Sequence, residues 1–194
     1  MDKYLESSKY INWEHPKVTS MAQQLSEGLV GEREIALRCF EWVRDEIKHS
    51  SDFKLNPITC KASEVLKYGT GFCYAKSHLL AALLRANRIP AGLCYQRLSV
   101  FENGAPYCLH GLNAVYLNDI GWYRMDARGN KEGVDAQFAP PHEKLAYPIT
   151  ESNEADFKEI WHTPLPIIVE TLEKYRTYSE VLDNLPDIEI AQLI

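Results

Sequence analysis

Apolar residues recur at helical spacing most strongly between Gly69 and Arg88, where Phe72, Ala75, Leu79, Leu83 and Ala86 share one face, with Leu80 and Ala82 beside it. That pattern predicts a helix with one buried apolar side. Thr70 is its expected N-cap, because a threonine hydroxyl accepts from a free N–H of the first turn. Ile89-Pro90 ends it, since the residue before proline avoids helical geometry. Cys73 falls in the first turn.

The flanking pattern is mixed. Residues 1 to 15 read as an irregular arm. Pro16 to about Leu25 fits a helix with proline in its first turn. Glu32 to Lys48 carries the stripe Ile35, Cys39, Val43 and Ile47 and predicts a better helix. Ser50 to Pro57 is a loop, and a short helix from Ala62 to Tyr68 stops at the capping Gly69. After Pro90 the pattern turns strand-like: Ala91–Phe101, a turn over Glu102–Pro106, then Tyr107–Leu117 and Trp122–Asp126. Val134–Phe138 is expected as a fourth strand and Leu145–Thr150 as a fifth. Thr163-Pro164 opens an amphipathic helix through Ile167, Ile168, Leu172 and Tyr175, and Thr177 with Glu180 forms a capping box for a last short helix. Helices, then strands, then helices predict an α+β fold. A single domain over residues 1–194 is expected, with a helical part at 16–50, a core at about 55–130 and a helical packing segment at 163–186.

Composition narrows the functions. At 194 residues, 45% apolar and 25% charged, the chain is of ordinary soluble type, and a net charge of −6 offers no footprint for nucleic acid or an anionic membrane. No apolar run approaches a membrane span, and the first residues lack the apolar core of a secretion signal, so a cytoplasmic location is expected. Five cysteines without framework spacing are expected as free thiols. Cys108-Leu109-His110 is the one hint of metal binding, and no Cys-x-x-Cys pair accompanies it; no cofactor is implied.

Three residues carry candidate chemistry. A thiol in the first turn of a helix lies among unpaired N–H groups at the positive end of the helix dipole, which favours the nucleophilic thiolate. The competing reading of Cys73 is a buried thiol packed as a small hydrophobe. His110 enters one strand and Asp126 ends the next. With neighbouring strands about 4.8 Å apart, a hairpin through Asn118-Asp119-Ile120 brings Asp126 next to His110. Thiol, imidazole and carboxylate in that order suit nucleophilic acyl transfer. Rival groups have ordinary readings. His78 is rotated about 140° from Cys73. His15, His49, His142 and His162 are expected in solvated loops, Lys76 on the helix's polar side, and Asp119 in the hairpin turn. Arg128 fits either a substrate carboxylate or an acidic neighbour.

Together these pieces resemble the transglutaminase-like superfamily of cysteine enzymes, and its small bacterial members in particular. The likeness rests on Ala62-Ser63-Glu64-Val65-Leu66 before Gly69–Cys73, Leu83–Ala86 with Ile89-Pro90-Ala91, His110–Leu117 and Trp122–Asp126. Leu112 stands where members often have an aromatic residue, and Ala127-Arg128 where Pro or Thr is common. The resemblance implies a papain-like, transglutaminase-core fold, with the cysteine at the N-terminus of a buried helix packed on an antiparallel sheet. It implies Cys73 as nucleophile, His110 as base and acid, and Asp126 as orienting group. The expected reaction runs through a thioester, with hydrolysis of an amide or peptide bond first and transfer to an amine second; the substrate is a peptide or protein amide. A non-catalytic peptide- or protein-binding module on the same fold is the alternative. The Cys73 N–H is an expected oxyanion donor, and a second donor has no sequence signature.

Overall fold

The computed structural model describes residues 1–101 and 104–189. Three helices come first: α1 (Pro16–Ser26), α2 (Glu32–Glu46) and α3 (Ala62–Tyr68). A two-residue strand β1 (Lys48–His49) follows α2 and pairs in parallel with β2 (Thr70–Gly71), which follows α3. Next come the central helix α4 (Cys73–Ala86) and the strands β3 (Ala91–Phe101), β4 (Gly104–Leu117) and β5 (Gly121–Met125). A hairpin of β6 (Gln137–Ala139) and β7 (His142–Lys144), a short β8 (Ala155–Asp156) and the helices α5 (Pro166–Lys174) and α6 (Tyr178–Leu182) complete the order. The main sheet is antiparallel, in the order β5-β4-β3-β8. This is the α+β architecture expected from the pattern. Part of the turn expected over Glu102–Pro106 (Glu102 and Asn103) lies outside the described residues.

The central helix is buried more completely than its pattern predicts. The sequence suggests one apolar face, yet every residue from Cys73 to Arg85 is buried. Helices α1, α2 and α3 pack on one side of α4 while β3 and β4 pack on the other. Polar residues on α4 therefore need partners, because a buried polar group without a hydrogen bond is costly. Arg85 donates to four carbonyl contacts, two to Ala91 (3.0 and 2.8 Å), one to Glu6 (2.8 Å) and one to His162 (2.8 Å). It thereby ties the N-terminal arm, the start of β3 and the C-terminal segment to one helix. Ser77 donates to Cys73 O, and the His78 ring meets Cys60 O through Nδ1 at 2.7 Å.

Lys76 is a correction to the sequence reading. It is not solvated but buried, and its ammonium donates to Arg44 O at 3.2 Å and Ile47 O at 2.5 Å. These carbonyls belong to the end of α2, which has no further N–H to satisfy them. The helix stops at Glu46 rather than the expected Lys48, and Ile47 turns to extended backbone. Lys76 thus fixes where β1 begins.

Close approach of α4 to the sheet depends on glycine. A Cβ on Gly111 would lie 3.0–3.3 Å from Tyr74 atoms, two of them main-chain. The Tyr74 hydroxyl in turn donates to Leu109 O at 2.5 Å. Beyond β5 the expected strands shrink. Val134–Phe138 contributes only its end to β6, and Leu145–Thr150 is not a strand. That stretch folds back on β5, where Ala146 N–H donates to Asp126.

Candidate active site

Cys73 is the first residue of α4, preceded by Phe72 in extended geometry as the N-cap. Thr70, expected as the cap, sits in β2, where its hydroxyl donates to Lys48 O at 3.0 Å. Phe72 has no capping side chain, so the first N–H groups of α4 turn to other partners. The Cys73 N–H donates to His49 Nε2 at 3.2 Å. The thiol itself faces β4, and the Gly111 N–H points at its sulfur from 3.5 Å.

Next to Gly111, whose N–H meets the Cys73 sulfur, His110 lines the same cavity as the thiol. Its Nε2 is 2.7 Å from Asp126 Oδ2. The β4–β5 register places Asn113 opposite Met125, so the residue after β5 emerges beside the stretch that carries His110. Asp126 is completely buried and accepts two main-chain N–H groups besides the imidazole, from Arg128 and from Ala146, both at 3.1 Å. With its acceptors turned to donors on every side, the carboxylate fixes Nε2 as the protonated nitrogen. Nδ1 is left for the sulfur. The structure thus brings Cys73, His110 and Asp126 together.

Charges follow from that packing. Burial alone pulls the His110 ring toward neutrality, but the Asp126 carboxylate and the Cys73 sulfur outweigh it and hold its pKa up to about 10. Burial pushes the Asp126 carboxyl up, and His110 with the two main-chain donors brings it below the ordinary carboxylate value. Lys76 is pushed down to about 7, by burial first and then by the Arg128 guanidinium.

A second histidine meets the main chain of Cys73. His49 is expected in a solvated loop, yet only 7% of it is exposed. The β1–β2 pairing sets it opposite Gly71, two residues before Cys73. Its Nδ1 is 3.0 Å from Ser51 Oγ and 3.8 Å from Asp52 Oδ2. Asp52 is held by Arg128 and Lys131, each with a contact of 2.9 Å, and its carboxyl is brought down to about 2: burial opposes this, and those two cations prevail. Burial, reinforced by Arg128, keeps the His49 ring well below the usual imidazole range. Of the two readings of Arg128, the structure shows the acidic neighbour.

The remaining histidines play no part in this cluster. His15 and His142 are exposed, His162 is partly covered, and His78 points to Cys60 O. Asp119, the rival carboxylate, is in the hairpin turn and pairs with Arg33 at 2.6 Å. Cys39, Cys60 and Cys94 are buried free thiols, and Cys108 is half-buried. Among the described residues no group of three potential ligands could hold a metal ion. No helix among them is long and apolar enough to cross a membrane.

A cavity of about 440 Å³ opens over the cluster. Cys73, His110 and His49 line it together with Tyr147, Leu98 and Leu185. The Tyr147 ring meets His110 edge-on at 5.2 Å, which shields one side of the imidazole. Tyr147 and His49 carried no local signal in the sequence, because each reaches the site through non-local pairing or loop packing.

The family model of the transglutaminase-like superfamily matches residues 19–127. No curated protein matches the chain. Among solved structures, one from Cytophaga hutchinsonii described as a putative cysteine protease is 21% identical with a TM-score of 0.51. The alignment covers 64% of this chain and 40% of that one, so the chain spans well under half of that relative. The periplasmic domain of TgpA from Pseudomonas aeruginosa is 19% identical over 64% of this chain and 45% of that one, with a TM-score of 0.48.

Proposed function

This chain belongs to the transglutaminase-like superfamily, and from that premise we propose that it is a cysteine acyl-transfer enzyme acting on an amide or peptide bond. One observation carries the reading. A thiol at the first turn of a buried helix shares a cavity with an imidazole that is held at Nε2, 2.7 Å from a fully buried carboxylate.

In this reading Cys73 attacks the carbonyl carbon as a thiolate, with the protonated His110 as its counter-ion. The carbonyl oxygen becomes an oxyanion, and the Cys73 N–H is close enough to the sulfur to stabilise it. His110 then gives its proton to the leaving amine, and a thioester with Cys73 remains. A water molecule loses a proton to His110, attacks the thioester and releases the acid, which returns thiol and imidazole to their starting state. An amine in place of water gives transamidation instead. Asp126 keeps the proton on Nε2 of His110 and steadies the imidazolium. Hydrolysis is the favoured outcome, since a cavity open to solvent leaves water at the acyl carbon. The description of the Cytophaga hutchinsonii structure as a putative cysteine protease points the same way.

The test is a panel of peptide amides and esters offered to wild type and to Cys73→Ala, with mass detection of a covalent adduct. An acyl group on Cys73, absent from the variant, supports the reading. Turnover that survives in Cys73→Ala, or acylation of another residue, overturns it.

A further inference from the structure

The proposed reaction needs an oxyanion site, and one donor is rarely enough to hold the charge. The Cys73 N–H is the obvious first donor, but in this structure it donates to His49 Nε2. That contact says two things about His49. The ring nitrogen lies 3.2 Å from the Cys73 nitrogen, so an oxygen that reaches the Cys73 N–H also comes close to the ring. And Nε2 is acting as an acceptor, so the ring proton is on Nδ1, toward Ser51 and Asp52.

We propose that His49 is the second oxyanion donor, and that it takes this role by exchanging one imidazole tautomer for the other. In the first tautomer Nδ1–H donates toward Ser51 Oγ or Asp52, while Nε2 accepts the Cys73 N–H. In the second, the ring proton has moved from Nδ1 to Nε2 by exchange with solvent, and Ser51 Oγ–H donates to Nδ1. Charge and proton count are the same in both. The second tautomer sets Nε2–H against the Cys73 N–H, which is unfavourable until the ring swings aside and an oxyanion comes within reach of both. An oxygen carrying the developing charge accepts from both. The exchange is therefore driven by the tetrahedral intermediate, and binding energy is realised where it lowers the barrier.

Three further observations fit. His49 lines the same cavity as Cys73 and His110. Its ring packs edge-on against Phe72, the residue before Cys73, with centroids 5.6 Å apart, which fixes its plane relative to the thiol. Its surroundings favour the neutral ring, the form in which either tautomer is available. The cavity around Cys73 thus holds two carboxylate–imidazole pairs, Asp126 with His110 and Asp52 with His49. Arg128 contacts both carboxylates, through its main-chain N–H and its guanidinium respectively.

The inference rests on the Cys73 acyl-transfer reading, so its test uses two reactions of the same thiol. Acylation by p-nitrophenyl acetate passes through an oxyanion; alkylation by iodoacetamide is a displacement at saturated carbon and does not. His49→Phe keeps an aromatic ring against Phe72 but removes both nitrogens. It is expected to slow Cys73 acylation by roughly 10²–10³-fold, the usual loss for one oxyanion donor, while alkylation stays within about threefold of wild type. His49→Gln, whose amide can still donate, is expected to recover most of the acylation rate. Equal slowing of acylation and alkylation in His49→Phe overturns the proposal, as does a His49→Gln variant no better than His49→Phe. If His49→Phe does not fold, Ser51→Ala decides. A loss of about 3–10-fold in acylation alone, the scale of one hydrogen bond, supports the proposal, and an unchanged rate overturns it. A failure of the acyl-transfer reading itself looks different, since Cys73→Ala then leaves ester turnover intact.

Discussion

Arg128 touches Asp126 only through its main chain: the N–H donates to Oδ1 at 3.1 Å, while the guanidinium turns away to grip Asp52. The side chain can therefore be removed without disturbing the carboxylate beside His110. Arg128 is also the cation that most strongly opposes charge on His49. Arg128→Gln should leave the His110 titration in place and move the His49 titration upward, toward the ordinary imidazole value. Side-chain NMR of the two rings across pH checks both at once.

Asp126 accepts three hydrogen bonds from His110, Arg128 and Ala146, in complete burial. An amide in its place sets an NH₂ against one of those donors and removes the counter-charge. Asp126→Asn should let the His110 pKa fall from about 10 toward 6.5. Turnover of any substrate found for the wild type should drop by roughly 10⁴-fold, as wrong-tautomer variants of such triads do. Rate measurements with a parallel thermal melt separate the lost chemistry from lost stability.

The pH dependence of stability follows from four groups with known direction. His110 is raised above its unfolded value of 6.5, so its contribution is full below that pH and is lost as pH rises through about 10. His49 is depressed, so its contribution is full above 6.5 and is lost as pH falls below it. Asp126 is also depressed, and its contribution disappears as pH falls below 3.8. Lys76 is depressed from 10.5 to about 7, so its contribution grows as pH rises over that span and offsets the loss from His110. Melting temperature should therefore fall on the acid side and change little between pH 7 and 10. In Asp126→Asn it should rise over that alkaline span, because the raised His110 value is gone and the Lys76 contribution stands unopposed. Melts at half-unit intervals from pH 5 to 10 provide the comparison.

Gly111 carries the N–H that points at the Cys73 sulfur, and it sits where α4 and β4 almost touch. A methyl group there meets the main chain of Tyr74, which cannot rotate aside. Gly111→Ala should destabilise the fold by about 1–3 kcal/mol, the cost of overpacking. It should also slow Cys73 alkylation by widening the gap between thiol and imidazole. Denaturant titration and alkylation kinetics measure the two effects separately.

Much of this was legible in the sequence because it depends on local pattern. The bounds of α3 and β3 follow from Gly69 as a cap and from the strand-like run between Pro90 and Phe101. Cys73 begins α4 and Asp126 follows β5, while His110, expected where a strand starts, lies in the middle of β4; the hairpin through Asn118-Asp119 brings the last two together. The likeness to the transglutaminase-like superfamily, seen in those same residues, is borne out by the family match. What was not legible depends on pairing across long stretches of chain. His49 looks like a loop residue because β1 has only two residues and its partner β2 lies more than twenty residues on. Lys76 looks solvated because nothing near it in sequence shows that the end of α2 will present two carbonyls to it. Helical periodicity also gave α4 one apolar face, since a hydrophobic pattern cannot show that Arg85 and His78 find carbonyl partners in the interior.

The central claim is that His110, held by Asp126, makes Cys73 reactive, and competition among the five thiols tests it most directly. Exposure alone favours Cys108, which is half-buried, over Cys73, which is only 7% exposed. Burial, however, raises the Cys108 thiol to about 12. A limiting dose of iodoacetamide near neutral pH, followed by peptide mass mapping, should mark Cys73 ahead of the other four, and that preference should vanish in His110→Ala. Labelling of Cys108 first, or a Cys73 preference that survives in His110→Ala, would contradict the account.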